Sequence, residues 1–219
     1  MHHPYRTLSA AALAAALLSA CASLPDAPPL PEPQERFWDA LASHCGPNGE
    51  GRAYEGELAS SDARDADWAG KRMVAHWAQC SGNRIAISLH VEDDEQLDGW
   101  NRSRTWVVTR TAEGLRLKHD HRHEDGSEDA VTQYGGDTLG TGTARVQDFP
   151  VDAFSIALFE REGLNVSTTN VWRIEVDPAD TRGARFAYQL TRRNDPGRLF
   201  RAEFDASKPV DPPPLAWGW

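Results

Sequence analysis

The segment Leu115–Gly126, LRLKHDHRHEDG, places His119, His121 and His123 at alternate positions among charged residues. Side chains alternate across a strand, so in an extended chain the three imidazoles share a face with Leu115 and Leu117. Arg116, Lys118, Asp120, Arg122 and Glu124 then share the other face, whose mixed signs suit solvent and weak pairing. Three kinds of chemistry are open to such a row of histidines. They can hydrogen-bond to carboxylates such as Glu128 or Asp129 and close the end of a fold. They can line a small-molecule site, polar at its mouth and apolar below. Alternatively, His119 and His121 can bind one zinc ion with two imidazoles, a third ligand coming from elsewhere, for which His76 and His90 are the candidates. All three histidines of the row cannot share one ion, because the outer pair stands roughly 13 Å apart along an extended strand.

Other chemical signals are sparse. There is no Gly-x-Ser-x-Gly and no His-Glu-x-x-His, the common hydrolase and metalloprotease signatures. The glycine-rich GGDTLGTGTA lacks the strand-then-helix setting of a phosphate cradle and reads as a loop at a rim. The acidic run Glu92-Asp93-Asp94-Glu95 reads as solvated loop. The sequence requires no cofactor and favours a non-catalytic protein, with a metal-dependent enzyme using His119 and His121 as the open alternative.

The elements that must position the histidines are strands. SRTWVVTR-TAEG-LRLKHDHRH is a predicted hairpin whose loop pairs Arg110 with Leu115. That register sets Trp106 opposite His119 and Arg104 opposite His121. KRMVAHWAQC-SG-NRIAISLHV is a second, with Cys80 opposite Asn83, which gives Val74, His76 and Ala78 the face of Ile85, Ile87 and Leu89. The candidate ligand-binding residues are therefore Arg104, Trp106, His119, His121 and His76. Later strands alternate cleanly, with Trp172, Ile174 and Val176, then Phe186, Tyr188 and Leu190, then Phe200, Ala202 and Phe204 facing inward. RAYEGELAS and DAVTQYGG are weaker strands. PQERFWDALASHCGP carries Phe37, Trp38, Leu41 and Cys45 on one helical stripe, and FPVDAFSIALFEREG reads as a further helix between Pro150 and Gly163. The prolines of KPVDPPPLAWGW keep it out of a central strand, and its Trp217 and Trp219 are expected to pack back on the domain.

The sum is an all-β fold: an antiparallel, up-and-down β-barrel of 8–10 strands, lipocalin-like in topology, with a short N-terminal helix and one further helix. A barrel is preferred over a sandwich because hairpins follow one another and closure hides the strand edges. Charged outward faces exclude a membrane barrel. Topology does not fix function.

The ends of the chain speak of location. Residues 1–20 contain one cation, Arg6, followed by an Ala/Leu-rich run too short for a comfortable bilayer span, the pattern of a secretory signal peptide. Leu18-Ser19-Ala20-Cys21 resembles the lipobox of bacterial lipoproteins. The resemblance implies lipidation of Cys21 and, with Ala22 rather than Asp after it, release to the outer membrane facing the periplasm; a plain signal peptide and a secreted or periplasmic protein is the alternative. Residues 21–34 are the anchor and a proline-rich linker, able to hold a domain roughly 40 Å from the lipid, and 35–219 form one domain. Its remaining pair, Cys45 and Cys80, reads as a disulfide in an oxidising envelope. The chain has 33 acidic against 23 basic residues, which argues against nucleic acid as a partner.

SRTWVVTRTAEGLRLKHDHRHEDGSEDAVTQYGGDT and FRAEFDASKPVDPPPLAWG resemble a family of bacterial secreted proteins and lipoproteins known only as uncharacterised. The resemblance supports the address and implies no activity. The expected function is an outer-membrane-anchored lipoprotein whose barrel binds a small amphipathic ligand. The alternatives are an envelope interaction protein without a pocket, or a metal-binding protein using His119 and His121.

Overall fold

The computed structural model describes residues 28–219; Cys21, the lipobox and the segment read as a signal peptide lie outside them. Ten strands form one antiparallel sheet: β1 (Ala53–Leu58), β2 (Met73–Cys80), β3 (Arg84–Glu92), β4 (Trp100–Thr111), β5 (Gly114–His121), β6 (Tyr134–Asp137), β7 (Val146–Pro150), β8 (Asn170–Val176), β9 (Arg185–Arg192) and β10 (Asp195–Val210). Their order is β6-β5-β4-β3-β2-β1-β10-β9-β8-β7, a meander rolled until its two edges face each other. The edges meet through a single bridge, Gly136 to Val151, so the barrel is nearly closed. Any Cβ on Gly136 would drive into the Pro150 carbonyl, and one on Gly135 into that of Leu117. The seam thus depends on residues without side chains. Helix α2 (Ala153–Arg161), capped by Asp152 on the Ser155 N–H, covers it, with Ser155 Oγ donating to the Gly135 carbonyl at 3.0 Å. Gly135, Gly136 and Asp137 are therefore strand β6 rather than rim loop.

Helix α1 (Glu32–Ala42) begins beside two prolines, which fit a helix's first turn because its N–H groups lack intrahelical acceptors. It plugs one barrel end with Phe37, Trp38 and Leu41, all buried. The Trp77 indole N–H, from inside the barrel, donates to the Leu41 carbonyl at 3.0 Å. Cys45 and Cys80 are joined, their Cα atoms 6.1 Å apart, which ties the plug to the β2–β3 end. With Leu30 also buried, the folded part begins several residues before the expected boundary at 35.

The inward rows of β8, β9 and β10 are as expected, and Arg110 pairs with Leu115. Strand β2 differs. Cys80 pairs with Ile85, not Asn83, and a bulge at Ala78 flips the parity beyond it. Met73, Ala75 and Trp77 consequently face the interior, and Val74 and His76 the outside. That outer wall is not bare. The tail after β10 runs back across it: the Trp217 N–H donates to the Arg102 carbonyl at 3.1 Å and the Trp219 indole to Asp120 at 3.0 Å. Under it lie Val74, His76, Ala86, Ser88, His90, Thr105, Val107 and Asp120, all buried. Trp217 and Trp219 thus do fold back. Strand β10 itself runs into the expected tail as far as Val210, and Pro209 fits there because β9 has already ended and only β1 pairs alongside.

Candidate functional site at the open end

Aromatic side chains fill most of the barrel: Trp77, Trp172, Phe149, Phe186 and Phe204 are all but inaccessible. What remains is a cavity of about 210 Å³ at the end opposite α1. The β4–β5 register builds its first wall, with Trp106 beside His119 and Arg104 beside His121. Tyr134 comes from β6, Tyr188 and Leu190 from β9, Phe200 from β10 and Leu89 from β3. Trp68, at the end of a short 3-10 segment (Ala63–Trp68), leans edge-on against Phe200 at 5.3 Å and partly roofs the space.

His119 is a structural imidazole. Its Nδ1 lies 3.0 Å from the Tyr134 carbonyl, which only accepts, so Nδ1 carries the proton and Nε2 accepts from the Tyr188 hydroxyl at 2.7 Å. The ring stacks on Tyr134 at 4.5 Å, and Tyr188 stacks on Trp106 at 4.4 Å. Complete burial pushes the His119 pKa down to about 3, with nearby His121 adding to the shift. Burial likewise holds both tyrosine hydroxyls above their ordinary value, Tyr134 at about 12.

His121 stands one layer nearer the mouth and is half-buried. The Tyr134 hydroxyl lies 3.1 Å from its Nε2; its Nδ1 has no partner among the described residues. Burial first, and then the Arg104 charge, lower its pKa to about 4, so it is neutral at pH 7. His123, beyond the strand, is exposed and points to Asp129 at 4.0 Å. His76 is on the far side of the wall and takes no part in the cavity.

Two guanidinium groups reach the mouth. Arg198, itself buried, is neutralised by Asp65 at 2.5 and 2.8 Å and by Asp62 at 3.0 Å. Arg104 is not: its Nη1 donates to Ser103 Oγ at 2.9 Å and its guanidinium lies 5.0 Å from the Trp68 ring, with no carboxylate in ion-pair reach among the described residues. With both histidines neutral, Arg104 is the uncompensated charge facing the cavity. Larger open grooves occur on the outer wall, one of about 650 Å³ between Glu55, Lys71, Arg72, Arg185 and Glu203. That groove is lined by ion pairs already made, such as Arg72 with Glu55 at 2.7 Å.

The polar groups lining the cavity are Asp65, Arg104, Arg198, His119, His121 and the Tyr134 and Tyr188 hydroxyls, set among apolar and aromatic side chains. A His119/His121 chelate is not formed: both His119 nitrogens are engaged, and among the described residues no three His, Cys, Asp or Glu gather around a common point. The sequence reading missed Tyr134, Trp68 and the Asp65–Arg198 pair. A tyrosine before the tight Gly135-Gly136 pair was a usable signal for the first, whereas nothing local announces that the 3-10 segment folds over the mouth. No protein-family model, curated protein or solved structure matches this chain.

Proposed function

We propose that this protein is an envelope lipoprotein, anchored in the outer membrane through Cys21 and facing the periplasm, that binds a small organic anion in the mouth of its barrel without chemical turnover. The observation that carries the binding reading is Arg104, a cation without an acidic partner among the described residues, at a cavity also lined by Trp106, Tyr188 and Phe200. A half-buried guanidinium favours a carboxylate it can grip with two donors, and the rings beneath suit a short apolar body. A volume of about 210 Å³ falls below the roughly 300–1,000 Å³ of drug-sized sites, which narrows the expected amphipathic ligand to a small acid and rules against a lipid chain. The reading as an interaction protein loses its motive, because Trp217 and Trp219 are tied down rather than displayed.

Titration of the protein with benzoate, followed by indole fluorescence from Trp68 and Trp106, tests the binding. Saturable binding that falls at least tenfold in Arg104→Met is expected, with benzamide failing to compete. Equal affinity for benzoate and benzamide, or an unaltered Arg104→Met, would refute it. The anchor is tested separately: Cys21→Ser should abolish the acyl mass increment and release the protein from membranes.

A further inference from the structure

Two side chains at the mouth of the cavity carry hydrogen-bond donors that meet no acceptor. Arg104 and His121 are register partners on β4 and β5, and both line the space. Arg104 gives Nη1 to Ser103 Oγ, and its Nε and Nη2 have no acceptor among the described residues. Around His121 the hydrogen bonds settle which nitrogen bears the proton. The desolvated Tyr134 hydroxyl has His121 Nε2, 3.1 Å away, as its partner among the described residues. A hydroxyl shut off from water keeps its hydrogen paired by donating it. Nε2 is therefore the acceptor and Nδ1 carries the proton, an N–H with nothing to receive it among the described residues.

The charged and titratable groups facing the ring govern its response to a ligand. From β4 comes Arg104, whose charge adds to burial in holding the His121 pKa at about 4. From β6 and β9 come Tyr134 and Tyr188, whose hydroxyls burial keeps protonated, and from β5 itself the neutral His119. The Asp129 carboxylate, after β5, pulls the other way but is held by the Val131 N–H at 2.7 Å. Asp120 lies on the outer face with Arg122 at 3.0 Å, and Arg198 is matched by Asp65 and Asp62. A carboxylate set against Arg104 reverses the field at His121: the repelling cation is neutralised and an anion stands beside Nδ1–H.

Resting on the anion-binding reading above, we infer that His121 is the second anchor of the cavity: its Nδ1–H donates to the carboxylate that Arg104 holds, and its Nε2 takes a proton from solvent as the ligand enters. The added proton forms an N–H bond on Nε2, and Tyr134, its hydroxyl turned round, accepts from it. Between the free-state value of about 4 and the higher value in the complex, the complex holds more protons than the free protein. Affinity must then rise as pH falls through that window, because proton and anion each favour the binding of the other.

Benzoate titration of the full chain between pH 7.5 and 5.5, a range in which benzoate stays ionised, reads this linkage through indole fluorescence. With His121 restored to the ordinary value of about 6.5 in the complex, affinity rises about tenfold across that range. Calorimetry in buffers of different ionisation enthalpy should then find about half a proton taken up per benzoate at pH 6.5. His121→Gln keeps a donor but cannot titrate. It should bind within roughly threefold of wild type at pH 7.5 and lose the pH dependence, whereas His121→Leu, without a donor, should bind about fivefold more weakly there. The other buried histidines are intact in His121→Gln, so a flat profile in that variant alone assigns the proton. Binding that needs Arg104 yet has the same pH profile in wild type and His121→Gln overturns this inference and leaves the anion reading in place. No benzoate binding at all overturns both.

Discussion

Acid should destabilise this barrel through His119 well before its carboxylates titrate. The ring is neutral, completely buried and satisfied on both nitrogens, and its pKa is pushed from 6.5 to about 3 by that burial. In the unfolded chain it takes up a proton below its ordinary value of about 6.5. Between pH 6.5 and about 3 the unfolded state therefore binds more protons than the folded one, so stability falls as pH falls through this window. For a single group with these two values the loss between pH 7 and pH 5 is about 2 kcal/mol. In a domain of this size that is a drop of about 4–8 °C in melting temperature. His44, His90 and His121 are also held below 6.5 and add to the wild-type loss, so the contribution of one ring must be read by difference. His119→Gln keeps a donor and an acceptor but cannot titrate. Its melting temperature at pH 7 should be lower than wild type, and its further drop on going to pH 5 smaller by the amount above. Thermal melts followed by circular dichroism at the two pH values suffice. An identical pH 7-to-5 drop in wild type and His119→Gln would show that the imidazole is solvated, and the argument for a buried, neutral His119 would fail.

The remaining expectations concern the scaffold. Replacing both Cys45 and Cys80 with Ala should cost about 4 kcal/mol, the loop-closure value for a separation of 35 residues; denaturant melts of the variant against oxidised wild type check it. Gly136→Ala forces a methyl into the Pro150 carbonyl at the seam and should destabilise by about 3 kcal/mol, with amides of β6 and β7 exchanging faster than those of β2 and β3. Arg198→Met leaves Asp65 buried without its bidentate partner and should cost about 3–5 kcal/mol, read by denaturant melts against wild type.

The legible part of this protein was its parity. Strand β5 could be oriented from Leu115 and Leu117 alone, because a half-buried strand with period two has only one way to bury its leucines. The four-residue link TAEG then fixed which residues of β4 face the histidines. The same reasoning failed on β2 for a reason of chain geometry: an extra residue at Ala78 leaves no mark in a hydrophobic pattern that reads Met73-Val74-Ala75-His76-Trp77. On that strand both faces are buried, one by the core and one by the tail, so alternation carries no information about which side is which. The 3-10 segment was out of reach, and so was the wall on which the returning tail lies, because each is placed by partners far away in sequence. Arg198 with Asp65 and Trp219 with Asp120 are long-range pairs that no local spacing encodes. The sequence therefore named Arg104, Trp106, His119 and His121 as neighbours, but not the Trp68 ring that partly roofs the space they border.

The plug at one end of the barrel also fixes which way the molecule would face. The Pro28 carbonyl accepts from Arg110 at 2.8 Å, beside α1, so the chain leaves the domain toward its amino terminus from the stoppered pole. Six residues, 22–27, separate that exit from Cys21; even at full stretch they reach roughly 20 Å. A lipid on Cys21 would hold the helix-capped pole down against the headgroups on a short leash. Arg104 and the aromatic hollow would then look away from the bilayer, toward solutes arriving by diffusion rather than along the membrane.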